Sequence, residues 1–307
     1  MRKVIIVILT TLIVMGIICG IGYYNKDEIY RYYQYEVLNV RDNISIDKNE
    51  YYKDIDYEFV QNTNDFLAKD KKHLKNIFYT VINSGTNTFT FYCSDEYSNC
   101  TNDITDIVNN QELLSNINNF VHPYNSFEKI NATYDEFGKI VIEVDKVYTD
   151  EDINLLDEKV DEIISKKIKS NMNDEEKIKT IHDYIINNGK YATDKIREKN
   201  QGKLYNKAND ILIDGLGLCS SYADAMALFL YEFGLNNYKI ASDTHIWNLV
   251  YLDKEWLHID LTWDDPVTNT GEDKLDILFL LIDTDRLEEL KVEQHDFDKE
   301  VYKEALN

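Results

Sequence analysis

Three residues in the C-terminal half have the types and spacing for nucleophilic chemistry. Cys219 follows Gly215-Leu216-Gly217-Leu218 and opens an amphipathic stretch that runs to Phe233. His245 starts a strand-like run, and Asp260 lies in the next one. A thiol at a helix N-terminus faces backbone N–H groups and the positive end of the helix, which favours thiolate over thiol. The same N–H groups can stabilise an oxyanion as it develops. A histidine would take the thiol proton, and an acid would fix that histidine's tautomer. The competing reading of Cys219 is a buried structural cysteine, a common place for this residue type.

The elements around these residues decide whether they meet. With Asp253-Lys254 as a two-residue turn, Leu252 pairs with Glu255 and Trp247 lies opposite Asp260, so His245 is a diagonal neighbour of Asp260. The shared face then carries His245, Trp247, Leu249, Tyr251, Trp256, His258 and Asp260. The other carries Ile246, Val250, Leu252, Leu257, Ile259 and Leu261 and reads as the core face, with Asn248 as its exception. One more turn residue would send His245 and Asp260 to opposite faces. The helix after Cys219 places Tyr222, Met226, Phe229, Leu230 and Phe233 on one side, and Gly234 ends it. Upstream, Asn173 with Glu176 reads as a capping box for a helix through Ile178, Ile181, Tyr184 and Ile185. His258 is the alternative base but reads as a core histidine. The tryptophans read as packing groups, and Asp264-Asp265-Pro266 as a solvated turn. No CxxC, HExxH or Gly-rich phosphate loop is present, so neither a metal nor a nucleotide cofactor is expected.

The remaining chain suggests where such a site would work. Residues 4–22 carry no charge, follow Arg2-Lys3 and are long enough to cross a bilayer as a helix. The basic flank places residues 24–307 outside the cytoplasm. An uncleaved anchor is favoured over a signal peptide, because only Gly20-x-Gly22 offers a small-x-small site. Cys93 and Cys100 could pair in an oxidising compartment or remain free thiols. The net charge of −23 over 307 residues excludes nucleic acid as a natural partner and fits a solvated acidic surface. Residues 24–60, rich in tyrosine and charge, read as a juxtamembrane stalk. Residues 61–170 read as a small α+β module, with helices over 61–83, 103–120 and 150–170 and strands over 87–93, 127–134 and 139–147, the last two joined at Glu136-Phe137-Gly138. Nothing in that module has the makings of a catalytic constellation.

Three linked motifs carry a resemblance. They are Gly217-Leu218-Cys219-Ser220-Ser221-Tyr222-Ala223, His245-Ile246-Trp247-Asn248, and Trp256-Leu257-His258-Ile259-Asp260-Leu261-Thr262-Trp263-Asp264-Asp265-Pro266. Together they resemble the bacterial transglutaminase-like superfamily. The helix through His182, Tyr191 and, more loosely, Leu278-Phe279-Leu280 and His295 resemble family positions as well. The resemblance implies a papain-like α+β fold for residues 171–307, which the small module and the anchor at residues 1–23 precede. It implies a Cys219–His245–Asp260 triad that acts on protein or peptide amides, wall-associated ones among them, through a thioester. Ile246 stands where the family usually has alanine. Ser220-Ser221 replaces the more usual Gln-Gly or Arg-Gly pair, beside the expected oxyanion site.

Overall fold

The computed structural model describes residues 2–33, 41, 44–135, 137–265 and 277–306. Glu136 of the expected hairpin and Pro266 of the expected turn lie outside them. The uncharged run folds as a helix over Arg2–Tyr24, followed by a second over Lys26–Tyr32. Its apolar side chains from Ile8 to Ile21 are exposed. Among the described residues no single helix is long and apolar enough to cross a membrane. The segments Ile8–Tyr24 and Lys26–Tyr32, bent by 69°, pass that test of length and composition together. Residues 44–60, in the region expected to be a stalk, have no regular structure but join the body: Tyr57 and Val60 are buried, with Ile55 and Phe59 packed against the same core.

The first sheet comprises β1 (Leu67–Ala68), β2 (Thr88–Cys93), β3 (Phe127–Tyr134) and β4 (Lys139–Lys146), in the order β1-β2-β4-β3. Its helices differ from expectation in instructive ways. The helix expected over 61–83 starts at Lys71, because the Asp70 carboxylate caps it by accepting from His73 N–H. Residues Leu67 and Ala68 pair in parallel with Tyr92 and Cys93 instead. The helix expected over 103–120 is two, Cys100–Asn109 and Gln111–Asn119. Asn110 is extended, ending the first, and its side chain caps the second by accepting from Leu113 N–H. Cys93 and Cys100 are disulfide-bonded, which ties β2 to the helix that Cys100 opens.

Two capped helices follow, Asp150–Lys167 with a Thr149/Asp152 capping box and Asp174–Asn188 with Asn173/Glu176. Next come β5 (Lys190–Tyr191) and β6 (Leu216–Gly217), paired in parallel, and the helix Cys219–Glu232. The second sheet holds β7 (Asn237–Ala241), β8 (Ile246–Leu252), β9 (Glu255–Ile259) and β10 (Leu280–Ile282), in the order β10-β9-β8-β7. The β8–β9 turn has the expected two residues. Asp253 and Lys254 both take positive φ (51° and 74°), as a primed turn requires, and Leu252 pairs with Glu255, Val250 with Leu257 and Asn248 with Ile259.

The division into one core face and one site face does not hold, because the second sheet is covered on both sides. Val250 and Ile259 pack with Met226 and Phe229 of the Cys219 helix. Trp247 and Leu249, on the other face, are just as buried and share a core with Phe297 and Tyr302 from the C-terminus. That core also takes in the first sheet: Phe120 stacks on Tyr238 at 4.8 Å, and Asn119 donates to the Tyr302 hydroxyl at 2.7 Å.

Candidate active site

Cys219 is the first residue of its helix, and the chain before it is shaped to deliver it there. Leu218 is extended and offers the helix no side-chain cap. A Cβ on Gly217 would come within 2.7 Å of Ser221 Cβ and 3.1 Å of Ile211 Cβ, so only glycine allows this approach. The Tyr205 carbonyl clamps the junction, accepting from Leu218 N–H at 2.9 Å and from Ser221 Oγ at 2.5 Å. The Cys219 thiol is free and half-buried. As the first two helical residues, Cys219 and Ser220 carry N–H groups that the helix's own ladder does not use.

His245 lies immediately before β8, buried, with its ring stacked on Trp247 (centroids 5.6 Å, 16° between planes). Its Nε2 lies 2.5 Å from Asp260 Oδ2. Cys219 lies close enough to act on the same ring. With Nε2 committed to the carboxylate, Nδ1 is the nitrogen left for the sulfur. Burial opposes the imidazolium, but the hydrogen bonds and charges of Asp260 and Cys219 outweigh it and push His245 up to about 9. The structure therefore bonds His245 to Asp260 and sets Cys219 near the same imidazole.

Asp260 caps the short helix Leu261–Asp264: its Oδ1 accepts from Thr262 N–H at 2.9 Å and from Trp263 N–H at 3.2 Å. Its Oδ2 is shared, accepting from His245 Nε2 and also from His295 Nε2 at 2.8 Å. Burial alone would raise this carboxyl, but the two histidines outweigh it and hold Asp260 down at about 2. His295 was visible in the sequence only as a loose family position. It sits in a 3-10 turn, Glu293–His295, where no local pattern marks it.

The other sequence candidates fall outside this chain of bonds. His258 is fully buried, accepts from Trp247 Nε1 at 2.9 Å and meets Thr284 Oγ1 at 2.9 Å, the environment of a core histidine. Trp256 packs on Tyr238 and Tyr251, and Trp263 on Phe279. Asp264 and Asp265 are not a solvated turn. Asp264 is fully buried, bonded to His182 Nε2 at 3.1 Å and accepting from Phe279 N–H at 3.0 Å, while Asp265 accepts from the Tyr222 hydroxyl at 2.5 Å. These bonds tie the segment after Asp260 to the Asp174–Asn188 and Cys219–Glu232 helices. Tyr191 pairs with Gly217 across β5 and β6. Burial first, and then the nearby Cys219, raise its phenol above the ordinary value.

Among the described residues, His245, Asp260 and His295 are the group whose ligand atoms lie close enough, within 4.8 Å, to hold a metal. The chemistry of the donor set speaks against one. His295 Nδ1 is buried without a partner, whereas a metal-bound imidazole keeps a proton there and donates it. Both Nε2 atoms and Asp260 Oδ2 are instead joined by hydrogen bonds.

Residues 162–261 match the sequence model of the Transglutaminase-like superfamily, so the chain carries a domain of that superfamily, and the match includes Cys219, His245 and Asp260. No curated protein matches the chain. Among solved structures it is similar to a TGase, at 15% identity and a TM-score of 0.34, over 48% of this chain and 47% of that one. It is also similar to a candidate cysteine protease from Cytophaga hutchinsonii, at 13% identity and a TM-score of 0.27, over 44% of this chain and 61% of that one. The chain thus spans about half to three-fifths of those structures.

Proposed function

We propose that the protein is a thiol enzyme acting on the carboxamide or peptide carbonyl of a protein or peptide substrate, with Cys219 and His245 as catalytic residues and Asp260 positioning the histidine. The carrying observation is a His245 imidazole bonded to a buried, ionised Asp260 and near the Cys219 thiol, which sits at a helix N-terminus. The thiolate attacks the carbonyl carbon, and the oxyanion that forms lies at the helix N-terminus, where N–H groups stand unused. The His245 imidazolium then gives its proton to the departing ammonia or amine, leaving a thioester on Cys219. An incoming amine or water, deprotonated by His245, attacks the thioester and frees the thiol. Transamidation and hydrolysis differ only in that second nucleophile. Tyr191, close enough to Cys219 to feel its charge, is placed to border the substrate.

The same reading places the enzyme on a membrane with residues after Tyr24 outside the cytoplasm. The uncharged, exposed N-terminal helix after Arg2-Lys3 and the Cys93–Cys100 disulfide support this. A chain recovered in the soluble fraction, or shielded from protease added outside intact cells, would refute the placement. For the chemistry, the full chain is exposed to a peptide vinyl sulfone and to a glutamine peptide with a fluorescent amine. Labelling of Cys219 and turnover of the peptide are expected, with both lost in Cys219→Ala. Folded wild type inert to both would mark a catalytically silent binding module that keeps the fold.

A further inference from the structure

His295 is the group at this site that the proposed chemistry does not use. Its ring is held in an aromatic box, with centroids 4.9 Å from Phe279, 5.0 Å from Trp247 and 5.6 Å from both Trp263 and His245. Only its Nε2 makes a hydrogen bond, and that bond goes to the carboxylate oxygen His245 also uses. Nδ1 is buried and unpartnered. An unpaired lone pair on Nδ1 with the proton on Nε2 fits this arrangement, so His295 is a donor to Asp260.

We infer that His295 is a positioning residue that divides the Asp260 carboxylate with His245, fixing its orientation and limiting how strongly it holds the imidazolium. This rests on the proposed role of Cys219 and His245. Asp260 has Oδ1 pinned by two backbone N–H groups, so His245 and His295 compete for Oδ2 alone. Each donor reduces the negative charge the other meets. With His295 removed, Oδ2 serves His245 undivided, the imidazolium is held more tightly, and it gives up its proton at a higher pH. The titratable groups set against His295 are Asp260, His245 and His258. Of these, His258 is pushed down to about 3, chiefly by burial, and stays neutral in the working range.

The test is the pH profile of Cys219 carboxymethylation by iodoacetate, an anion whose attack the imidazolium favours. It is read on the Cys219 peptide by mass spectrometry, in the full chain, so that Cys19 does not interfere. In His295→Ala the alkaline limb is expected to move up by about half a unit or more. His295→Gln, whose amide nitrogen reaches the place of Nε2, should keep the wild-type limb. His295→Asn, whose shorter amide reaches only the place of Nδ1, should behave like alanine. If alanine does not fold, the Gln–Asn contrast decides. Coincident limbs for wild type, Ala and Asn overturn the inference, and so does a uniform fall in rate with an unmoved limb, which marks structural support alone. Wild type that shows no carboxymethylation of Cys219 at any pH fails differently, by removing the thiolate reading beneath it.

Discussion

The helix Cys219–Glu232 carries two buried ionic clusters, and they are built differently. Five residues after Cys219, Asp224 pairs with Lys239 at 2.6 Å and accepts from the Tyr148 hydroxyl at 2.7 Å, while that hydroxyl accepts from Ala208 N–H at 2.8 Å. Asp224, Lys239 and Tyr148 are all buried, and their bonds close on one another. The Asp260 cluster is just as dry at its acid end, but its His245 lies near the half-buried Cys219 thiol. Both clusters shift ionisation, Tyr148 upward by burial and by Asp224, His245 upward by Asp260 and Cys219 against burial. Perturbed ionisation therefore does not mark the reactive cluster. A half-buried nucleophile beside the bonded imidazole does. In the closed cluster, Lys239 joins β7 to the helix, and Tyr148 brings in the chain leading from β4.

The sharpest break in the comparison is expected from Asp260→Asn. An asparagine amide on His245 Nε2 would force the imidazole proton onto Nδ1, the nitrogen that must accept from the thiol. The wrong tautomer should cost a factor on the order of 10^4 in the vinyl sulfone labelling rate or amide turnover. A loss under about tenfold would mean that the carboxylate does not orient His245. Next in size is Lys239→Met, which leaves Asp224 buried and uncompensated and should cost about 3–5 kcal/mol in denaturant unfolding. Adding Asp224→Asn, which still accepts from Tyr148, should restore most of that. Labelling per folded molecule should stay unchanged in both. A labelling defect without a stability loss would move this cluster into the active site and erase the distinction.

The sequence made the hairpin legible for a local reason. Asp253-Lys254 interrupts two alternating runs, and a two-residue turn leaves one register, so His245 and Asp260 could be placed together from the sequence. The β7 strand was hidden because Asn237 to Ile240 are buried on both faces, which leaves no alternation, and Lys239 among them is buried only through its Asp224 partner from the preceding helix. The break at Asn110 was hidden because apolar spacing continues through it while one side chain caps the next helix. Asp264 and Asp265 look like solvent residues until His182, Tyr222 and Phe279 N–H arrive from other elements. His295 follows Asp260 by 35 residues, so its bond to that acid is a product of tertiary packing. Local periodicity and turn chemistry can be read from a chain. Satisfaction of buried charge by distant partners cannot.

The smallest expected effect separates two histidines on neighbouring strands. His245 is pushed up to about 9, whereas His258, buried with Trp247 and Thr284 as neutral partners, is pushed down to about 3. A histidine raised above its ordinary 6.5 favours folding fully below 6.5 and loses that contribution as pH rises through about 9. A lowered one works in the opposite sense: its contribution is full above 6.5 and is lost as pH falls towards about 3. Asp260 adds a loss in the same acid direction, as pH falls from 3.8 through about 2. Amide turnover should therefore decline above a pH of about 9 as the imidazolium is lost, by roughly tenfold per unit, equivalent to about 1.4 kcal/mol. His245→Gln should flatten the stability decline between 6.5 and 9 and leave the decline from 6.5 to about 4 intact, while His258→Gln should flatten only that acid-side decline. Urea midpoints measured from pH 3 to 10 check both arms. If the two variants flatten the same arm, one of the histidines is in the wrong charge state, and the contrast between a reactive imidazole and a core imidazole on adjoining strands does not stand.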